Sequence, residues 1–139
     1  MDLQLGTHSD TLKKIEMPIV DLQTCMDKAP SDYKVFVNSD KICAGWDIVK
    51  ILVDPISLNI LLSNSYADQS GVCSGDSGGG LAIPKKEGAD NIYFLEGIVS
   101  SGKSTVGGCN LKFFSVFTNV QKYSKMINMA LDKFNQNDI

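Results

Sequence analysis

A serine set among glycines is the part of this 139-residue chain best equipped for chemistry: Cys73-Ser74-Gly75-Asp76-Ser77-Gly78-Gly79-Gly80-Leu81. Glycine admits positive φ, so successive backbone N–H groups can turn toward one point beside the Ser77 hydroxyl. A nucleophile next to converging donors is what stabilisation of an oxyanion during acyl transfer requires. Asp76 precedes the serine, and Cys73 anchors the turn.

Two other chemistries share letters with this region and fail on context. Gly75-Asp76-Ser77-Gly78-Gly79 has the G-x-S-x-G spacing of a nucleophile elbow. That elbow runs straight into a helix, with an acid and then a histidine later in the chain. Here Gly79-Gly80 leads into Leu81-Ala82-Ile83-Pro84, and no histidine follows. Gly97 to Ser104 satisfies G-x-x-x-x-G-K-[ST]. A phosphate-binding loop of that pattern must open a helix, and Thr105-Val106-Gly107-Gly108-Cys109 is a poor helix start.

Composition narrows the partners. The hydrophobic content is 43% and the net charge −3, with 13 basic residues, all lysine. The lysines are scattered, so no basic stripe for nucleic acid emerges, and no nucleic-acid partner is expected. Four cysteines without Cys-x-x-Cys spacing, beside a single histidine, fit zinc poorly. No metal or cofactor is expected. Four cysteines leave three disulfide pairings open, and oxidised cysteines point to an extracellular setting. Met1 to Val20 contains no apolar core of a signal peptide. The apolar run Ile51 to Leu62 is too short to span a bilayer and is interrupted by Asp54-Pro55, so no membrane partner is expected.

The elements that must position Ser77 read as mainly β. Asp21 caps a short helix from Leu22 through Cys25 to about Lys28. Ala29 to Asp32 is a turn, Val35 to Val37 and Lys41 to Gly45 are short strands, and Leu81 to Ile83 follows the serine turn. Gly88 to Asn91 is a hairpin loop into the strand Ile92 to Ser100. Thr118-Asn119-Val120-Gln121 matches a capping box with Thr118 as the cap. Val120, Tyr123, Ile127, Leu131 and Phe134 then recur at helical spacing, predicting a terminal helix whose apolar stripe packs into the core.

These segments together resemble the chymotrypsin/trypsin-like serine proteases. Gly75-Asp76-Ser77-Gly78-Gly79 behind Cys73 is similar to the family's active-site turn. Tyr93 to Ser100 resembles the strand lining the substrate cleft, and Cys109 with Ser115 to Val120 resembles the strand closing the specificity pocket. Leu12 to Val20, Cys25 and Lys41 to Trp46 match the stretches upstream. The likeness covers nearly the whole of 1–139 but about half of the family's domain. It implies the C-terminal antiparallel barrel of a two-barrel fold, ending in a helix. The segment 47–70 stands out as an atypical apolar insertion, either genuine or an error in the gene model.

The resemblance also assigns roles. Ser77 is the nucleophile, and the N–H groups of Gly75 and Ser77 form the oxyanion hole. Asp76 pairs with the new terminus after zymogen cleavage. Gly71 lies at the base of the primary pocket, with Asp68 as the alternative should the insertion shift the register. Ser100, Ser101 and Gly102 line the cleft, and Ser115 stands on the opposite wall. The implied disulfides are Cys25–Cys43 and Cys73–Cys109. The family's catalytic His and Asp lie upstream of this region, and the lone His8 corresponds to neither. The expectation is therefore a serine endopeptidase fragment from a secreted parent, inactive alone, acting on protein or peptide substrates with the missing N-terminal barrel of the same domain. The alternative is a non-catalytic homologue serving as a binding or regulatory module.

Overall fold

The computed structural model describes residues 11–12, 14–46, 71–73, 75–102, 104–105, 108–109 and 113–137, with the backbone alone described for 104–105, 108–109 and 137. The His8, Asp68 and 47–70 expectations lie outside the described residues, as does the side chain of Cys109.

The principal sheet holds five antiparallel strands: β1 (Ile19–Val20), β2 (Lys41–Ala44), β3 (Gly80–Glu87), β4 (Asp90–Ser101) and β7 (Ser115–Asn119). Their order is β1-β2-β7-β4-β3, and among the described residues the sheet does not close on itself. Strands β5 (Ser104–Thr105) and β6 (Gly108–Cys109) form a separate pair. Helix α1 (Leu22–Lys28) lies between β1 and β2, and α2 (Ser124–Asn137) follows β7. The chain is thus mainly antiparallel β with a C-terminal helix, as the arrangement of half a trypsin-like domain requires.

Central position explains the composition of β7. Alternate residues of a strand face opposite sides of its sheet. Val116 joins Cys25, Tyr33, Val37, Cys43 and Phe114 in one buried cluster, while Phe117 joins Ala44 and Val99 in another. A strand covered on both faces needs an unbroken apolar run, and Phe114 to Phe117 supplies it apart from the buried Ser115. The Cys25–Cys43 disulfide ties α1 to β2 inside the first cluster.

Local chemistry sets the connections. The Asp21 carboxylate caps α1 by accepting from the Thr24 N–H at 2.8 Å. The β3–β4 hairpin closes through Gly88-Ala89, with Gly88 at φ +64° as a type II′ turn demands of its first loop position. Pro84 falls in β3, at the outer edge of the sheet, where its missing N–H leaves no ladder bond broken.

Three expectations are corrected. Val35 to Val37 is not a strand. After Pro30 the chain keeps turning, with Tyr33 and Lys34 N–H groups both bonded to the Pro30 carbonyl, and Lys34–Phe36 forms a 3-10 turn. The N-cap ahead of the C-terminal helix is Asn119, on the 3-10 turn Val120–Tyr123, rather than Thr118: Asn119 Oδ1 accepts from the Gln121 N–H, while Thr118 is still paired to Lys41 and Ile98 inside β7. The apolar stripe of α2 does not pack into the core. Tyr123 and Ile127 are 36% exposed, Leu131 54% and Phe134 73%. The helix leaves the sheet as it proceeds, so its spacing recorded an apolar face without recording what covers it.

This burial pattern makes a sharp contrast between two phenylalanines. Phe117→Ala, at a 1% exposed position, should cost about 3–5 kcal/mol in urea unfolding. Phe134→Ala should cost under about 0.5 kcal/mol in the same measurement.

Candidate active site

The nucleophile turn is built from its own backbone and fastened to β4. The Asp76 N–H bonds to the Cys73 carbonyl at 3.1 Å, and the Gly79 N–H to the Asp76 carbonyl at 2.9 Å. Gly78 N–H then reaches the Val99 carbonyl at 3.1 Å, and Val99 N–H returns to the Gly79 carbonyl at 2.8 Å. Gly75 and Gly78 adopt φ of +102° and +88°, values that a side chain would strain. Ser77 is exposed at the tip. The N–H groups of Gly75 and Ser77 make no hydrogen bond among the described residues.

Asp76 has a local role here. Its exposed carboxylate accepts the Cys73 N–H at 2.8 Å, so the acid braces the turn against the residue where the turn begins. Cys73 itself is disulfide-bonded.

The residues expected to line the cleft come together at one end of the sheet. Between β4 and β7 the register runs Val99↔Phe117 and then Ser101↔Val116, leaving Ser100 as the extra residue of a bulge. Bulges re-aim side chains, and one beside a site turns a regular strand into a shaped wall. Ser115 is 5% exposed in the neighbouring strand, opposite Ala44 of β2. The segment Gly71-Val72-Cys73 passes directly against Gly102: a Cβ on Gly102 would sit 2.8 Å from the Val72 carbonyl oxygen. Glycine is required there because two backbones touch. The structure therefore gathers Ser100, Ser101, Gly102 and Ser115 at adjoining strand ends and brings the chain of Gly71 against them.

One contributor was missed in the sequence. Tyr33, 5% exposed, donates its hydroxyl to the Ser101 carbonyl at 2.8 Å. It reaches the cleft strand from the turn after α1 and supports it from behind. Burial raises the hydroxyl's pKa above the ordinary tyrosine value, which keeps it a donor. A lone tyrosine between Asp32 and Lys34 gives no signal of this in sequence, because its partner is a backbone atom 68 residues away. Among the described residues no group of three or more His, Cys, Asp or Glu could hold a metal ion.

Tyr33→Phe should leave the Ser101 carbonyl without its donor and cost about 1–2 kcal/mol in denaturant unfolding, with the denaturant slope unchanged.

The comparisons with known proteins fall on these same segments. The Trypsin family model matches residues 58–127, half of the chain, covering the nucleophile turn, the cleft strand, β7 and the start of α2. Ovochymase of Halocynthia roretzi is 51% identical over 57 residues, which is 40% of this chain and 3% of that protein. The match thus spans a small fraction of the curated relative's length. With an exposed serine on a glycine turn, a bulged cleft strand and a family match across both, the chain belongs to the trypsin family of serine proteases.

Proposed function

We propose that this chain carries the nucleophile half of a serine endopeptidase site. The observation that supports it best is the division of labour among the turn's amides. Those of Asp76, Gly78 and Gly79 are consumed in holding the turn, whereas those of Gly75 and Ser77 are left unbonded among the described residues beside the exposed serine. Two free donors at a nucleophile can receive the oxyanion of a tetrahedral intermediate.

In this reading Ser77 Oγ attacks the scissile carbonyl, and the Gly75 and Ser77 N–H groups take the developing charge. The proton leaves Oγ for a histidine contributed by sequence upstream of residues 1–139, because His8 matches no catalytic motif. Asp76 exchanges the Cys73 N–H for an α-ammonium group when the longer protein is activated. Gly71 sits at the base of the primary pocket, with Cys73–Cys109 joining the turn to the pocket wall. The substrate is a protein or peptide, and the parent acts in a secreted setting.

Pocket chemistry favours an apolar or small residue before the scissile bond. A cationic side chain sealed in a pocket needs an opposing charge, and leaving it unpaired costs several kcal/mol. Gly71 offers none, and the hydroxyls of Ser101 and Ser115 cannot replace a carboxylate.

The test joins this chain behind a trypsin-family N-terminal half that carries the catalytic His and Asp. The joined protein should hydrolyse peptides after Val, Ala or Leu and become labelled at Ser77 by a phosphonate probe, while residues 1–139 alone do neither. Ser77→Ala should remove activity by about a thousandfold to a millionfold. Dominant cleavage after Lys or Arg would instead mark Asp68 as the pocket base. A folded joined protein that binds peptides without cleaving them would favour the non-catalytic alternative.

A further inference from the structure

Helix α2 is held to the sheet by an unusual balance of forces. Its apolar residues Met126, Ile127, Met129, Leu131 and Phe134 are all exposed, from 36% at Ile127 to 73% at Phe134, so hydrophobic anchoring is weak along its length. The 3-10 turn that starts it, Val120–Tyr123, is by contrast gripped from two sides. From one side Asp40, in the turn before β2, accepts the Tyr123 hydroxyl at 2.5 Å on Oδ2, and its backbone carbonyl accepts the Asn119 N–H at 2.8 Å. From the other side Glu96 of β4 accepts Gln121 Nε2 on Oε2 and Lys85 Nζ on Oε1, the latter at 2.7 Å. Glu96 is only 8% exposed.

We propose that Asp40 and Glu96 form an acid-releasable clamp on the C-terminal helix: ionised, they hold α2 to the sheet, and protonated, they let it detach while the sheet persists. A hydrogen bond to a carboxylate is roughly twice as strong as one to a neutral acceptor, so protonation weakens both grips at once. The groups facing Asp40 are Tyr123 and Lys41, whose Nζ lies 3.2 Å from Oδ2. Those facing Glu96 are Lys85 from β3 and Gln121 from the turn. Lys85 also lies 4.8 Å over the Phe94 ring, which keeps it in place when Glu96 loses charge. The buried Oδ1 of Asp40 has no hydrogen-bond partner among the described residues, leaving that carboxylate's charge dependent on Tyr123 and Lys41.

The direction of the pH effect follows from the same contacts. The Tyr123 hydroxyl first, with Lys41, holds Asp40 below the usual carboxylate range; Lys85 first, with Gln121, does so for Glu96. Both groups titrate lower folded than unfolded. Their stabilisation is complete above the ordinary carboxylate range and is lost as pH falls through the folded values. The sheet depends instead on apolar clusters and the Cys25–Cys43 bond, none of which titrates in this window.

Amide hydrogen exchange on the oxidised full chain, corrected for the intrinsic pH dependence, tests this. Between about pH 6 and about pH 2, from above the ordinary carboxylate range to below the lowered folded values, protection of the 124–137 amides should fall about tenfold or more while that of Ile98, Val99, Val116 and Phe117 is kept. Asp40→Asn with Glu96→Gln should show low α2 protection at both ends and no pH step. Should that double variant fail to fold, Tyr123→Phe and Gln121→Ala remove the grips and leave both carboxylates, and each should shrink the step. Loss of α2 and sheet protection together, an unchanged helix at low pH, or a full-sized step in the variants would overturn the proposal.

Discussion

Two hydrogen bonds between Val99 and the Gly78–Gly79 backbone are the constraint on which the candidate site rests. They make the nucleophile turn an extension of β4 rather than a loop leaning on it. Ser77 therefore inherits its position from the centre of the sheet, where Val99 packs with Phe117 and Ala44. One residue further on, the same strand bulges at Ser100, in the stretch proposed to line the cleft. In the proposed site, nucleophile and wall are thus two products of one strand, and an error in the register of β4 would misplace both together.

Support for that strand comes from far away in sequence. Tyr33 holds the Ser101 carbonyl, and its ring sits in the cluster that contains the Cys25–Cys43 disulfide. The crosslink tethers α1 and the following turn to β2, which limits how far Tyr33 can drift. A covalent restraint on one side of the sheet thereby serves geometry at its end, with a buried hydroxyl as the intermediary. Residues that never meet a substrate can fix the shape that a substrate meets.

How much of this was legible in the sequence depends on the range of the interaction involved. The Asp21 cap and α1, the strand at Lys41, the glycine turn around Ser77 and the hairpin at Gly88 are readable because each is decided within a few residues. The hairpin loop expected over Gly88 to Asn91 is nevertheless two residues longer than the observed Gly88-Ala89. Val35 to Val37 was misread because β-branched residues suggest a strand, whereas the turn after Pro30 still governed the backbone. The cap was placed one residue early because the last pairings of β7 are long-range. The α2 stripe shows the general limit: periodicity identifies a face, while the covering of that face belongs to tertiary structure. The Ser100 bulge and the Tyr33 support were invisible for the same reason, since each is a relation between segments.

Pro84 has a consequence for how copies of this chain can meet. Strand β3 lies at the margin of the sheet and is eight residues long, enough to recruit a neighbouring chain by backbone pairing. Proline offers no donor, and Lys86 adds a positive charge beside it while Lys85 is paired to Glu96, so an incoming copy would meet a gap in the ladder and like charges at Lys86 together. The margin of the sheet is thereby protected against edge-to-edge association at the stretch where its length would otherwise invite it.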